Sequence, residues 1–147
     1  SLIASCFLLN SLRDLPVNRG EGLYLMIEYI PFRGGKRPFS TAVRAGNNLY
    51  VSGQVGIDRE TGAYPPTIEG QTKQAIINLK TVLEEQGYAL SHVVKMVVIL
   101  TRKEDIAAFN KIYAQYFVTN LPARTLMVVS GLVGEAIMEL DAIAVKE

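Results

Sequence analysis

Arg124 is the residue of this chain whose chemistry and position most clearly suggest a binding role. It lies in the run Leu121-Pro122-Ala123-Arg124-Thr125, and the apolar stretch Leu126 to Val129 follows it. A guanidinium group is planar, permanently charged and matched in shape to a carboxylate, to which it can donate two parallel hydrogen bonds. The alternative is an exposed arginine at a strand edge, which is the ordinary location of this residue type. The run therefore indicates a candidate carboxylate site and leaves the ordinary interpretation open.

Other catalytic chemistries find little support in the sequence. One cysteine, Cys6, and one histidine, His92, are too few for a structural zinc site, and we expect neither a metal nor a cofactor. The chain contains no P-loop and no G-x-G-x-x-G motif. His92 precedes a predicted strand in the other half of the domain, where we expect it to be solvated and not to activate a serine nucleophile.

The elements that must position Arg124 follow from the periodicity of the apolar residues. Alternating or continuous apolar runs predict strands at residues 23–30, 40–45, 49–52, 93–100, 125–129 and 136–145. Apolar residues recurring every three or four positions predict helices at residues 67–86 and 104–117. This order predicts a two-layer α+β domain, in which both helices cover one face of a mixed sheet of about six strands.

The last predicted strand has two different faces. One face carries the acidic residues Glu139 and Asp141 together with Ile137 and Ile143. The alternate positions are apolar, and we expect them to face the helices: Met138, Leu140, Ala142 and Ala144. Because the acidic face also carries isoleucines, we expect it to be buried against a partner subunit.

Length and composition fit one globular domain preceded by a short segment. The 147 residues are 49% hydrophobic and 20% charged, and the net charge is +1. Without a block of lysine and arginine, nucleic acid is not expected as a partner, and no apolar run reaches the about 18 residues that span a bilayer. We interpret residues 1–22 as an N-terminal arm or extension and residues 23–147 as the domain. The single cysteine suits a reducing compartment, so we expect a cytoplasmic protein and leave a mitochondrial location open.

Five segments of the chain resemble, in order, the signatures of the RidA (YjgF) family of reactive intermediate/imine deaminases: RPFSTAVRAGNNLYVSGQVGIDRETG, QTKQAIINLKTVLEEQGYALSHVVKMVVIL, FNKIYAQYF, LPARTLMVV and MELDAIAV. Members of this family are also called L-PSP endoribonucleases or translation initiation inhibitors. The resemblance implies a chorismate-mutase-like α+β subunit assembled as a homotrimer, with active sites in clefts between subunits. It further implies a hydrolase that converts enamine or 2-imino acid intermediates, such as 2-aminoacrylate, to a keto acid and ammonia.

The resemblance also implies roles for the two residues that we expect to be catalytic. Arg124 matches the arginine that binds the substrate carboxylate, which would turn the C=N carbon toward a water molecule. Glu139 matches the first acid of the last motif, placed to move protons on the water or on the leaving amine. The alternative for Glu139 is an ordinary ion pair with a nearby cation. Asp141 matches the second acid of that motif, and we interpret it as structural.

Four further positions match residues that line the substrate site of the family. Ser52 is expected to donate a hydrogen bond, and Gly53 allows a close backbone approach. Asn110 matches a helix asparagine whose amide can reach the cleft, although a locally satisfied polar residue is an equal alternative. The backbone carbonyl of Leu126 matches a group that helps to hold the attacking water.

Two positions depart from the family pattern. Phe39 stands where many members carry a tyrosine, so the ring that lines the substrate pocket is kept and its hydroxyl is lost. Gly56 replaces a proline that is usual after the Ser-Gly-Gln segment. These changes bear on substrate range and turnover, but Arg124 and Glu139 favour an active enzyme.

Three functions of different classes therefore remain after the sequence is considered. The first is a cofactor-free deaminase of small 2-imino acids. The second is a ribonuclease or translation inhibitor, against which the near-neutral charge and the lack of a basic or aromatic RNA platform count. The third is a trimeric binder of carboxylate ligands that catalyses nothing, an option that Phe39 keeps open.

Overall fold

The computed structural model describes residues 26–147. The predicted arm at residues 1–22 lies outside the described residues, as do residues 23–25 at the start of the first predicted strand. The described part contains the strands and helices in the order that the sequence predicts. The strands are β1 (Ile27–Ile30), β2 (Ala42–Ala45), β3 (Asn48–Val55), β4 (Val93–Leu100), β5 (Ala123–Val128) and β6 (Met138–Val145), and the helices are α1 (Ile68–Glu85) and α2 (Ile106–Tyr116).

The strands form one mixed sheet in the order β1-β2-β3-β6-β4-β5. Neighbouring strands are antiparallel except β4 and β5, which are parallel. A parallel pair needs a crossover connection, and α2 supplies it. The C-terminal strand β6 lies between β3 and β4, so the strand that carries Glu139 runs through the middle of the sheet.

The ends of α1 are set by local sequence. The Thr67 side chain accepts a hydrogen bond from the Gly70 amide at 3.1 Å, which satisfies one of the free N–H groups of the first turn. Gly87 adopts a φ of 80° immediately after the helix, a conformation that glycine tolerates and that ends helices. At Gly56, a side chain would overlap the Gln71 backbone, so this glycine allows α1 to lie close to β3.

Both helices pack on one face of the sheet, which confirms the predicted two-layer α+β fold. The fully buried side chains of this core come from both layers and include Leu49, Ile76, Leu79, Leu83, Met96, Leu100, Phe109, Met138 and Leu140. The predicted inward set on β6 is also confirmed, because its members alternate with less buried residues along the strand. Among residues 26–147, no helix is long and apolar enough to cross a membrane.

The opposite face of the sheet is left open by every described element. Apolar side chains lie on it in register with one another, and Tyr29, Tyr50 and Met127 are 68%, 46% and 42% exposed. An apolar surface of this kind is typical of a protein–protein interface. Its burial against a partner subunit, and the homotrimer, stay predictions.

Strand β3 is longer than the sequence pattern predicts. It continues from the predicted end at Ser52 to Val55, and its register with β6 shifts between Val51 and Gln54. The bulge inserts one extra residue, since Ser52 and Gly53 lie opposite Asp141 alone. These two residues interrupt the alternation that marks a strand, and for that reason the sequence pattern ends too early. The bulge places Ser52 and Gly53 beside the start of β6.

Candidate active site

Arg124 lies on the helix-covered face of the sheet, near the start of the edge strand β5. It is in register with the buried Met96 of β4, so both side chains point toward α2. Its guanidinium carbon lies 4.9 Å from the ring centre of Tyr113 and 5.9 Å from that of Phe109. A cation at this distance over an aromatic face is attracted by the ring, so α2 holds the guanidinium in place.

The Arg124 guanidinium lines a cleft of about 390 Å³ between α2 and the loop before β5. We call this the arginine cleft, and its lining residues are Asn110, Tyr113, Ala114, Phe117, Leu121, Pro122 and Arg124. Arg124 has no carboxylate partner among residues 26–147. The cleft therefore presents an unneutralised, preorganised cation to a small ligand.

Two polar atoms of the arginine cleft are buried without a hydrogen-bond partner in the described structure. They are the Asn110 Oδ1 atom and the Tyr113 hydroxyl, and Tyr113 is only 7% exposed. Burial raises the pKa of the Tyr113 hydroxyl, against a smaller opposite effect of the Arg124 charge, so this hydroxyl keeps its proton. Because buried polar groups are nearly always satisfied, each atom needs a partner from outside the described residues, which an ordered water or a polar ligand would supply.

Tyr113 is a site residue that the sequence analysis missed. It fits the apolar periodicity that predicts α2, which favours a place in the core, and its ring does pack in the core. The sequence feature that points to Tyr113 is its spacing from Asn110, because residues three positions apart lie on the same face of a helix.

Glu139 lies on the other face of the sheet from Arg124. It is in register with Ile99 of β4 and Val55 of β3, whereas its neighbour Met138 is fully buried on the helix side. Burial, and to a smaller extent the charge of Asp141, raises the pKa of the Glu139 carboxyl above its ordinary value. Burial also raises the pKa of Asp141, which lies two residues further along the same face.

The bulge in β3 fits around the Glu139 carboxylate. A Cβ atom at position 53 would overlap Glu139 Oε1, so the carboxylate can occupy this position because residue 53 is a glycine. The Ser52 hydroxyl donates a hydrogen bond of 2.6 Å to the Ser40 carbonyl, so within this protomer its oxygen is left as an acceptor. Phe39 precedes Ser40 and packs edge-on against Phe32, with 5.5 Å between the ring centres.

The predicted site residues thus fall into two groups within one protomer. Arg124 and Asn110 lie together in the arginine cleft, and Leu126 follows on β5 with its side chain against the core. The second group, which we call the glutamate half-site, consists of Phe39, Ser52, Gly53 and Glu139. The sheet separates these groups, so one protomer does not bring Arg124 and Glu139 together.

No group of three His, Cys, Asp or Glu residues that could hold a metal ion occurs in the part of the chain that the structure describes. The expectation for His92 needs correction, because the ring is partly buried. Its Nδ1 accepts a hydrogen bond of 2.9 Å from the Ala89 amide, and the ring packs edge-on against Tyr88. These contacts close the 3-10 turn before β4 and leave His92 partly exposed.

Comparison with known proteins agrees with the motif resemblance. The family model described as Endoribonuclease L-PSP matches residues 34–146. A RutC family protein of Pyrococcus horikoshii is 42% identical over 111 residues, which cover 75% of this chain and 88% of that protein. A Mus musculus protein named 2-iminobutanoate/2-iminopropanoate deaminase is 38% identical over 110 residues, or 74% of this chain and 82% of that protein.

The fold is also similar to solved structures. The crystal structure of RidA from an Antarctic Psychrobacter superposes with a TM-score of 0.73 at 30% sequence identity, covering 85% of this chain and 100% of that chain. Sequence and fold therefore agree on the same relatives, and the resemblance inferred from the motifs is confirmed.

Proposed function

The chain belongs to the endoribonuclease L-PSP family, whose members include RutC and RidA proteins, and from this premise we propose that it is a cofactor-free deaminase of 2-imino acids. Three mammalian relatives at 36–38% identity are named 2-iminobutanoate/2-iminopropanoate deaminase, which supports this reaction. The observation that carries the proposal is the arginine cleft, in which the described residues leave the Arg124 guanidinium without an ion-pair partner and two buried polar atoms without a hydrogen bond.

The arginine cleft fits the polar end of a 2-imino acid. Arg124 donates two parallel hydrogen bonds to the substrate carboxylate, and the cation–π contact with Tyr113 fixes the direction of those bonds. The Asn110 Oδ1 atom is an acceptor, which fits the N–H of an imine and not the carbonyl oxygen of the keto acid product.

The rest of the site comes from a second protomer in this proposal. The open apolar face of the sheet is buried in a homotrimer, and this assembly brings the glutamate half-site of one protomer to the arginine cleft of its neighbour. Such an arrangement explains why Arg124 and Glu139 lie on opposite faces of the same sheet.

The reaction then needs only water and one carboxylate. The Leu126 carbonyl accepts one hydrogen bond from a water molecule, and Glu139 takes the other proton of this water as its oxygen attacks the C=N carbon. Glu139 returns this proton to the imine nitrogen, which gives a tetrahedral intermediate with a hydroxyl and an amine on the same carbon. Glu139 then takes the hydroxyl proton and passes it to the amine, so that the C–N bond breaks to give the keto acid and ammonia. Phe39 contacts the substrate side chain.

The proposed function is tested by trapping the imine. Threonine dehydratase releases 2-iminobutanoate, which semicarbazide captures, and adding this protein is expected to lower the captured amount in proportion to its concentration. Capture that is unchanged by the protein would contradict the proposal. A repurified protein that leaves capture unchanged but cleaves RNA would favour the endoribonuclease named in the family description instead.

Replacing Gly53 by alanine is expected to reduce deaminase activity with little effect on folding. The new methyl group would overlap the end of the flexible Glu139 side chain, so the carboxylate moves and the backbone stays. A displacement of about 1 Å in a catalytic group costs on the order of 100-fold in rate. Activity and urea unfolding should be measured together.

Gly131→Ala is the matched control for this substitution, because nothing lies within 4 Å of a Cβ at Gly131. We expect it to keep wild-type activity. If Gly53→Ala were as active as Gly131→Ala, the position of the Glu139 carboxylate would have no importance for the reaction.

Removing the ring of Tyr113 is expected to weaken substrate binding more than removing its hydroxyl. Tyr113→Leu deletes the aromatic face under Arg124, and KM should rise about 5- to 30-fold, the range of a cation–π contact, with a smaller effect on kcat. Tyr113→Phe keeps that face and removes only the hydroxyl, so KM should rise less, by the about 2- to 10-fold that one hydrogen bond contributes. Steady-state kinetics on both variants measures this difference, and equal effects would show that the ring does not position Arg124.

A further inference from the structure

The loop between β1 and β2 carries cations that the proposed reaction does not use. Between Glu28 and Asp58 the sequence has four cationic residues and no acidic residue. Arg33 forms an ion pair with Glu85 at 2.8 Å, and Arg44 forms one with Glu28 at 2.9 Å. The other two cations, Lys36 and Arg37, have no acidic partner among residues 26–147.

Lys36 and Arg37 line a cavity of about 480 Å³ together with Phe32 and Phe39. We call these four residues the cationic pocket. The Arg37 guanidinium carbon lies 5.6 Å from the ring centre of Phe32, which itself packs against Phe39. The guanidinium is therefore held over an aromatic floor, and the Arg33–Glu85 ion pair ties the same loop to the end of α1.

The cationic pocket adjoins the glutamate half-site. Phe39 belongs to both, and Ser40, which also lines the cavity, accepts the hydrogen bond of Ser52. Gly53 follows Ser52 and lies against the Glu139 carboxylate. A ligand that extends from Ser52 past Phe39 therefore meets the two unneutralised cations.

We propose that the cationic pocket binds a second carboxylate of the substrate, at the far end of its side chain, so that 2-imino dicarboxylic acids are the preferred substrates. This inference rests on the proposed function, in which Arg124 takes the carboxylate next to the imine carbon. The phenylalanine rings supply an apolar contact for the methylene groups between the two carboxylates. Two cations without acidic partners provide the attraction for the second carboxylate.

The inference is tested with the keto acids that correspond to the two substrate classes. Calorimetric titration of the wild-type protein at low ionic strength is expected to show that 2-oxoglutarate binds about 5- to 10-fold more tightly than 2-oxobutanoate, the range of two partly solvated ion pairs. In Lys36→Gln/Arg37→Gln, the affinity for 2-oxoglutarate should fall to that for 2-oxobutanoate. Added salt should reduce the preference of the wild type, because ions screen exposed charges.

Lys73→Gln/Lys103→Gln is the control, since it removes the same charge from exposed residues outside the cavity and is expected to keep the preference. Equal affinity of the wild type for the two keto acids, or binding of neither, would overturn the inference. A clear preference for 2-oxoglutarate without any loss of trapped 2-iminobutanoate would support the pocket and contradict the proposed deaminase. The two failures are therefore distinguishable.

Discussion

Arg124→Ala is expected to lower kcat/KM for 2-iminobutanoate by at least about 100-fold, because the substrate loses two charge-assisted hydrogen bonds of about 1.5–3 kcal/mol each. The loss should appear in both KM and kcat, since an unanchored imine no longer holds its C=N carbon toward the water. The dehydratase-coupled semicarbazide assay measures the effect. The free energy of unfolding should fall by only about 1 kcal/mol, because the exposed guanidinium loses its contacts with two rings and has no ion-pair partner among residues 26–147.

Two further arginine variants show which property of Arg124 the reaction requires. Arg124→Lys keeps the charge and removes the planar fork, so we expect an activity between those of the wild type and the alanine variant. Arg102→Ala removes an exposed arginine whose only ion pair within residues 26–147 is a 3.9 Å contact with Glu104, and it should be as active as the wild type. An Arg124→Ala variant with wild-type kcat/KM would contradict the carboxylate anchor.

Glu139→Gln is expected to lower kcat by about 10²- to 10⁴-fold with little change in KM, because it removes the proton acceptor and keeps the shape of the side chain. The wild-type enzyme should also lose activity as pH falls, since only the ionised carboxylate accepts a proton. Burial and the charge of Asp141 raise the pKa of Glu139, so this loss should begin at a higher pH than for an ordinary glutamate. Steady-state kinetics of Glu139→Gln checks the first expectation, and kcat/KM of the wild type measured against pH checks the second.

Asp141→Asn is the control for the acidic pair. It keeps the Glu139 carboxylate, so activity at neutral pH should persist. Because it removes a negative charge that raises the pKa of Glu139, the acidic limb of the pH profile should move to lower pH. An unshifted limb in Asp141→Asn, or a Glu139→Gln variant with undiminished kcat, would exclude Glu139 as the group that titrates during the reaction.

The fold follows from the sequence because its signals are local and repetitive. The helix α1 is indicated by its apolar periodicity, its Thr67 cap and the Gly87 that follows it. The strand β4 is indicated by its continuous apolar run. Together they predict the element order and the helix-covered face. The sequence does not predict the β3 bulge, because a serine followed by a glycine is not typical of a strand. The bulge is visible only in the register with which β3 pairs with β6.

The site residues were available from the sequence, but their spatial arrangement was not. Residue matching to a family names Arg124 and Glu139, but only the register of β5 and β6 against β4 shows that they lie on opposite faces of the sheet. The sequence gives Tyr113 no site role, because its position fits the apolar periodicity that predicts α2. Its unsatisfied hydroxyl is a property of three-dimensional packing and cannot be seen in spacing alone.

The central claim is that Arg124 of one protomer and Glu139 of another form one active site, and subunit mixing tests it directly. Arg124→Ala and Glu139→Gln, each inactive alone, should be denatured together at equal concentrations, refolded and assayed beside each variant refolded alone. Random assembly into a cyclic trimer places both native residues in about one quarter of the sites, so the mixture should recover about a quarter of the activity of refolded wild type. A mixture no more active than its two components would contradict the account, because sites contained within one protomer cannot complement each other.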